Sequence, residues 1–370
     1  GLLHLNTPDY LIVTAETDNG LAAMQLLFEE AMKLGDCAKL IKGVCLIATR
    51  ERFIYFYPKA HKPLDINGWY KVRPIVDCSQ TALAAADKVA ATFLAPLYAF
   101  MHTIASSTID LLRAIKDVPT GPDTWFFTTD IESLYTNVDV DEAIQAIKLL
   151  LDEFNIGSTA QRTFIIKILE ICLRNNLFWF GDVRYKQVHG IPMGSNSAPV
   201  VADAWLFVLE RKLVADSLLD GILMFLRYRD DIFAMAASEE AARRLETKYQ
   251  ALHPRIKLES NFSKENAVVL DVGISKFEED GSSRTKVYMK ETNSLPLLHR
   301  NSNHPYATLR GAIKGRFISF IRICNNTTDL FSAILSLVKS ATRYGYQEEE
   351  LLGIAREAIL QCSKLEWPYL

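Results

Sequence analysis

Three things are scarce in this 370-residue chain: surplus positive charge, cysteine and long uncharged stretches. Its 41 Lys and Arg stand against 44 Asp and Glu, a net charge of −3. That excludes a uniformly basic nucleic-acid binder and leaves room for a basic channel in an acidic whole. The six cysteines, at positions 37, 45, 78, 172, 324 and 362, contain no C-x-x-C pair, so a zinc ribbon or thioredoxin-like motif has no support. They are also too sparse for a disulfide scaffold, and reduced, buried thiols are expected. The N-terminal segment GLLHLNTPDYLIV lacks the cationic region of a secretory leader and the Arg-richness of a transit peptide. Val89 to Ile109 runs 21 residues without a charge, but its Ser, Thr, His and Pro content argues against a bilayer span and for a buried helix pair broken near Pro96. No repeat of solenoid period is present.

What is there is ordinary globular composition, 49% hydrophobic and 23% charged, in a chain long enough for two or three subdomains. Apolar spacing predicts helices over 21–34, 159–176, 199–214 and 238–251, with a further one to Phe154 behind an Asp139/Glu142 capping box. Strands are predicted within 43–58, at 222–228, 232–236, 268–275 and 285–290, with a hairpin at 177–185 turning on Gly181-Asp182. From about Thr308 the pattern is mostly helical. Helices and strands mix without regular alternation, so the class is α+β.

The sharpest local signal is Phe225-Leu226-Arg227-Tyr228-Arg229-Asp230-Asp231-Ile232-Phe233. Two adjacent acids stand between apolar strand-like runs, where a hairpin turn would hold them outside the core. A divalent cation removes their mutual repulsion, because hard cations take carboxylate oxygens. Alone, an Asp-Asp pair is most often a solvated turn. A further acid, Asp130, closes the β-rich run Trp125-Phe126-Phe127-Thr128-Thr129. An acid ending one strand and an acid pair on a hairpin together suit a two-metal clamp on an attacking 3′-hydroxyl and a leaving pyrophosphate.

Here the residues carry a resemblance. Asp130-Ile131-Glu132-Ser133-Leu134-Tyr135, then Gly190-Ile191-Pro192-Met193-Gly194-Ser195, then Tyr228-Arg229-Asp230-Asp231 resemble the ordered palm motifs of reverse transcriptases. Tyr57-Pro58-Lys59-Ala60-His61-Lys62 with Arg73-Pro74-Ile75-Val76, Leu270-Asp271-Val272, Leu298 to Pro305, and Arg310-Gly311 with Lys314-Gly315-Arg316 are similar to motifs of Penelope-like retroelement reverse transcriptases, relatives of telomerase. The resemblance covers about 50–345.

It implies a right-hand polymerase: an N-terminal region and fingers over 1–124, an antiparallel-sheet palm over 125–298 with inserted fingers helices at about 139–189, and a helical thumb and tail over 299–370. It implies catalysis by Asp130, Asp230 and Asp231, which with the backbone carbonyl of Ile131 would hold two Mg²⁺ ions, or Mn²⁺ in their place. Lys59 and Arg73, with Lys62 a second candidate, would reach the triphosphate; Met193 and Gly194 would lie against the nascent pair; Tyr135 would be the gate that excludes a ribose 2′-hydroxyl. Lys264 lies where polymerases often keep a proton-donating Lys, although a solvated Lys is the stronger reading.

The expected function is RNA-directed DNA polymerisation from a primer on an RNA or DNA template with dNTPs. The alternative is a polymerase-derived, maturase-like or domesticated nucleic-acid-binding protein with weak or no catalysis. Arg229, a long cation where a small or apolar residue is usual, motivates it. An RNA-dependent RNA polymerase usually has a smaller residue at the position of Tyr135. No membrane partner is expected, and an intracellular place, nucleus or mitochondrion, fits. Met193 stands where many reverse transcriptases have Gln. No RNase H, zinc or GIY-YIG-like segment is visible, which leaves integration by this chain alone unsupported. Charge is segregated: residues 50–73 hold six cations against two acids, 299–345 seven against one, and 346–370 two against five. A groove between the two basic segments is the expected backbone-gripping footprint.

Overall fold

The β-rich run ending in Asp130 is an inner strand, and a four-stranded sheet is built around it. β4 (Trp125–Ile131) pairs antiparallel with β8 (Asp231–Ala236), β8 with β7 (Ile222–Tyr228), and β9 (Leu258–Ser263) closes the order β7-β8-β4-β9. The computed structural model describes residues 5–14, 17, 19–46, 50–59, 64, 67–81, 83–276, 282–289 and 297–363.

Two compact units take segments from several parts of the chain. One comprises Gly1–Ile104, Ile131–Asp216 and Thr247–Glu259; the other comprises Ala105–Asp130, Ser217–Glu246 and Ser260–Leu370.

The first unit holds a five-stranded sheet in the order β1-β6-β5-β2-β3, from β1 (Tyr10–Ile12), β2 (Phe53–Pro58), β3 (Val72–Asp77), β5 (Leu177–Phe180) and β6 (Val183–Gln187). Its buried face is a cluster of Tyr10, Ile54, Val76, Phe178 and Tyr185. Its helices are α1 (Leu21–Met32), α2 (Gly35–Leu40), α3 (Ala84–Leu94), α5 (Leu134–Asn137), α6 (Val140–Glu153), α7 (Thr159–Arg174) and α8 (Ala198–Leu218). Asp139 caps α6 by accepting from the amides of Asp141 and Glu142. The Glu142 carboxylate accepts from Trp205 Nε1 (2.9 Å), and the reciprocal capping box is on α7, between Ser158 and Gln161.

In the second unit one face of β7, β8 and β4 packs Leu226, Phe233 and Phe126 on Leu111, Leu112 and Ile115 of α4 (Thr108–Lys116). β10 (Asn266–Val269) and β11 (Val272–Lys276) add Val269, Val272 and Ile274 to that cluster, and β12 (Ser283–Val287) pairs with β11. A second cluster joins α10 (Tyr306–Ile323), α11 (Thr327–Arg343) and α12 (Glu348–Ser363) through Ile313, Phe317, Leu337 and Leu351. The helix α9 (Glu239–Gln250) follows β8.

Several expectations change. The uncharged stretch is one helix, α3, followed by a 3₁₀ segment at Ala95–Ala99, because Pro96 lacks the amide that would continue the α-ladder. Among the described residues no helix is long and apolar enough to cross a membrane. Of the predicted strand over 43–58, Phe53–Pro58 is strand; Gly43, at φ 76°, ends a turn, and residues 47–49 lie outside the described residues. The predicted strand over 268–275 is two, reversing at Leu270, whose φ is 56°. All six cysteines are free thiols, and five are buried.

Candidate active site

Strand register decides which acids meet. Asp130 at the end of β4 lies directly opposite Asp231 at the start of β8, and Asp231 in turn opposes Tyr228. Facing residues on neighbouring strands bring their Cβ atoms to about 5 Å, and like charges so placed repel. Asp130 is half-buried and Asp231 exposed. They continue a row whose earlier members, Leu226 and Phe233, belong to the core, so the acids stand where the apolar packing ends.

Asp230 is on the two-residue turn between β7 and β8. Arg229, the other turn residue, has φ 58°, and its guanidinium carbon lies 5.9 Å from the Tyr228 ring centroid. The left-handed region costs an L-residue about 1–2 kcal/mol, and something must hold it there. Arg227 contributes: its side chain is fully buried, and Nη1 donates to the Arg229 carbonyl at 3.0 Å. Arg227 does not announce this role in the sequence, where a cation in an apolar run reads as solvent-facing. Its place two residues before the turn is the signal that could have found it.

Among the described residues no group of three or more His, Cys, Asp or Glu side chains is arranged to hold a metal ion. The donor chemistry nevertheless fits a hard divalent cation, with two carboxylates opposed across a ladder and a third on the adjoining turn.

The other predicted residues belong to the first unit. Tyr135 lies half-buried on α5, and its carbonyl accepts from the Ile191 amide at 2.8 Å. Gly190 has φ 74°, and a Cβ there would come 2.5 Å from Thr136 Cα. Met193 accepts at its carbonyl from the Val76 amide on β3 (2.8 Å), and a Cβ on Gly194, φ 122°, would come 2.1 Å from the Val76 carbonyl oxygen. One loop is thus fastened to the Tyr135 segment at one end and to the β2–β3 hairpin at the other.

That hairpin carries the predicted cations. Arg73 pairs with Tyr57, and the Lys59 amide donates to the Lys71 carbonyl at 2.8 Å. Strand alternation puts Tyr57, Lys59, Lys71 and Arg73 on the face opposite the buried Ile54 and Val76. Lys62 lies outside the described residues. In the second unit Lys264 is committed elsewhere: Nζ donates to Asp123 at 2.9 Å and holds that carboxyl below its ordinary range.

The family profile of reverse transcriptase (RNA-dependent DNA polymerase) matches residues 60–294, more than half of the chain. The chain belongs to the reverse transcriptase family. No curated protein sequence matches this reverse transcriptase family member. Solved structures do. The apo telomerase of Candida tropicalis aligns with a TM-score of 0.52 and 11% identity over 97% of this chain and 67% of that one. Telomerase of Candida albicans, in complex with a fragment of telomeric RNA, gives 0.52 and 11% over 96% of this chain and 64% of that one. The RNA-dependent RNA polymerase of a human picobirnavirus gives 0.53 and 14% over 86% of this chain and 63% of that one. Identities this low establish fold alone. It is the right-hand polymerase fold in the α+β class, and this reverse transcriptase core spans about two thirds of the length of those proteins.

Proposed function

We propose that this chain is an RNA-directed DNA polymerase that extends a primer 3′-hydroxyl with dNTPs. The observation that carries the reading is the register of the four-stranded sheet, which sets Asp130 opposite Asp231 with Asp230 on the turn between the same strands. Carboxylates opposed across a ladder repel one another, and a cation-dependent reaction gives that placement a use.

In this reading Asp130, Asp230, Asp231 and the carbonyl of Ile131 would hold two Mg²⁺ ions, or Mn²⁺ in their place. The chemistry supplied there would be activation of the primer hydroxyl and stabilisation of the departing pyrophosphate. Arg73 and Lys59, with Lys62 in support, bind the triphosphate oxygens and fix its direction. Gly194 lets backbone approach the nascent base pair, beside Met193. The Tyr135 ring lies under the sugar and rejects a 2′-hydroxyl by its bulk. The β2–β3 hairpin acts as fingers, the four-stranded sheet as palm, and α10 to α12 as thumb. The partners are an RNA or DNA template annealed to a primer; the RNA-bound Candida albicans telomerase shares the fold and supports that choice.

Primer extension by the purified chain on RNA and DNA templates, with Mg²⁺ or Mn²⁺, tests the reading. Asp230→Asn is expected to lower extension by at least about 10³-fold with primer–template binding retained. Undiminished extension by that variant sinks the assignment. The left-handed Arg229 supports a second reading, a nucleic-acid-binding protein of polymerase descent. Binding by the wild-type chain without extension in either metal would select it.

A further inference from the structure

We infer that Asp87 is a positioning residue for the incoming nucleotide, acting through the loop that carries Gly194; the inference rests on the polymerase reading above. Asp87 lies on α3, on a helix face it shares with Leu83, Ala86, Ala90 and Leu94, and it is only 2% exposed. A carboxylate on such a face is costly unless its oxygens are satisfied. Among the described residues, every bond its carboxylate receives comes from one short segment. The Asn196 amide donates at 2.6 Å and the Ser195 hydroxyl at 3.1 and 3.0 Å to the two oxygens. The Ser197 hydroxyl donates as well, and the Ser197 amide stands at 3.4 Å. Among the described residues no Lys, Arg or His forms an ion pair with Asp87, and the loop's neutral donors satisfy its oxygens.

The same loop has two backbone fastenings, Ile191 to Tyr135 and Met193 to Val76, each at 2.8 Å. Asp87 supplies the third, at the end that leads into α8. Charge-assisted bonds of this kind are stronger than neutral ones. Without the carboxylate, 195–197 is released, and Gly194 and the Tyr135 backbone lose a fixed support. The nucleotide side of the site would loosen, whereas the grip on primer–template would not.

The test is steady-state extension by Asp87→Asn with dNTP concentration varied. Asn keeps the volume and loses the charge and one acceptor. The dNTP KM is expected to rise about tenfold or more, and preference for dNTP over rNTP to fall. The KM for primer–template should stay within about twofold. If Asp87→Asn does not fold, Ser195→Ala, which removes one half-buried donor, is measured in its place and should move both quantities in the same direction. A fall in active fraction at unchanged dNTP KM and unchanged sugar preference is what a purely structural acid produces, and it overturns the inference. A wild-type chain that extends no primer removes the polymerase reading and the inference together; active wild type with unaltered variant kinetics removes the inference alone.

Discussion

Arg229 holds a backbone conformation that its side chain does not favour, beside the acid pair Asp230-Asp231. A glycine at φ 58° would adopt it without steric cost, and a β-branched residue would resist it most. Arg229→Val should therefore be less stable than Arg229→Gly by about 2 kcal/mol, read as a shift in denaturation midpoint at unchanged slope. Equal stabilities would mean that the strain is relaxed elsewhere in the turn. At this scale the sequence was readable where residue type and chemistry coincide. Asp130, Asp230 and Asp231 stand out because acids ending apolar strands have few structural uses. Arg227 and Asp87 do not stand out. Arg227 bonds a carbonyl only two residues on, whereas Asp87 bonds a loop brought close only by folding, and no periodicity encodes that second partner.

Among elements, the hairpins and long helices were legible. Gly181 at φ 59° turns β5 into β6 where the Gly-Asp signal stood, and α7 fills the window its spacing gave. Failures came where tertiary bonds override local pattern. Glu142 leaves its capping position for the Trp205 indole. A strand expected over 268–275 folds back on itself because Leu270 accepts a left-handed turn and Asp271 ties it, its carboxylate accepting from the Thr108 hydroxyl at 2.7 Å. The loop from Gly190 to Ser197 was recognised by its residues, yet its contacts with β3 could not be. Those contacts give an element-scale prediction. Gly194→Ala would drive a Cβ to 2.1 Å from the Val76 carbonyl oxygen. It should cost more than about 2 kcal/mol or pull the loop off β3, and should reduce primer extension at least about tenfold. Wild-type activity and melting temperature in that variant would show that the loop can shift freely.

For the molecule as a whole, the segregated charge is smaller in effect than its count. Arg310 donates to Glu357, Lys314 stands 3.7 Å from the same carboxylate, and Arg300 Nε lies 3.3 Å from Glu350. Three of the basic segment's cations therefore face acids from the Glu-rich tail. In the first unit Arg50 is bound to Asp77 at 2.5 Å, and Arg52 is buried. The hydrogen bond from Arg310 keeps the Glu357 carboxyl below its usual range. A depressed carboxyl stabilises above its unfolded value, so this contribution is present at neutral pH and fades as pH falls through the folded value. Glu357→Gln should unmask Arg310 and Lys314, tighten nucleic-acid binding, and steepen the salt dependence of log K by up to about 1–2. An unchanged slope would place both cations away from phosphate.

The loop strung between the Tyr135 backbone and β3 has a bearing on how such a polymerase can change. On the polymerase reading proposed above, sugar choice at Tyr135 and affinity at the Arg73 hairpin would be carried by one continuous piece of main chain. A lineage, or an engineer, that widened such a gate would then inherit a weaker hold on the triphosphate, with compensating substitutions selected along β3 and α3.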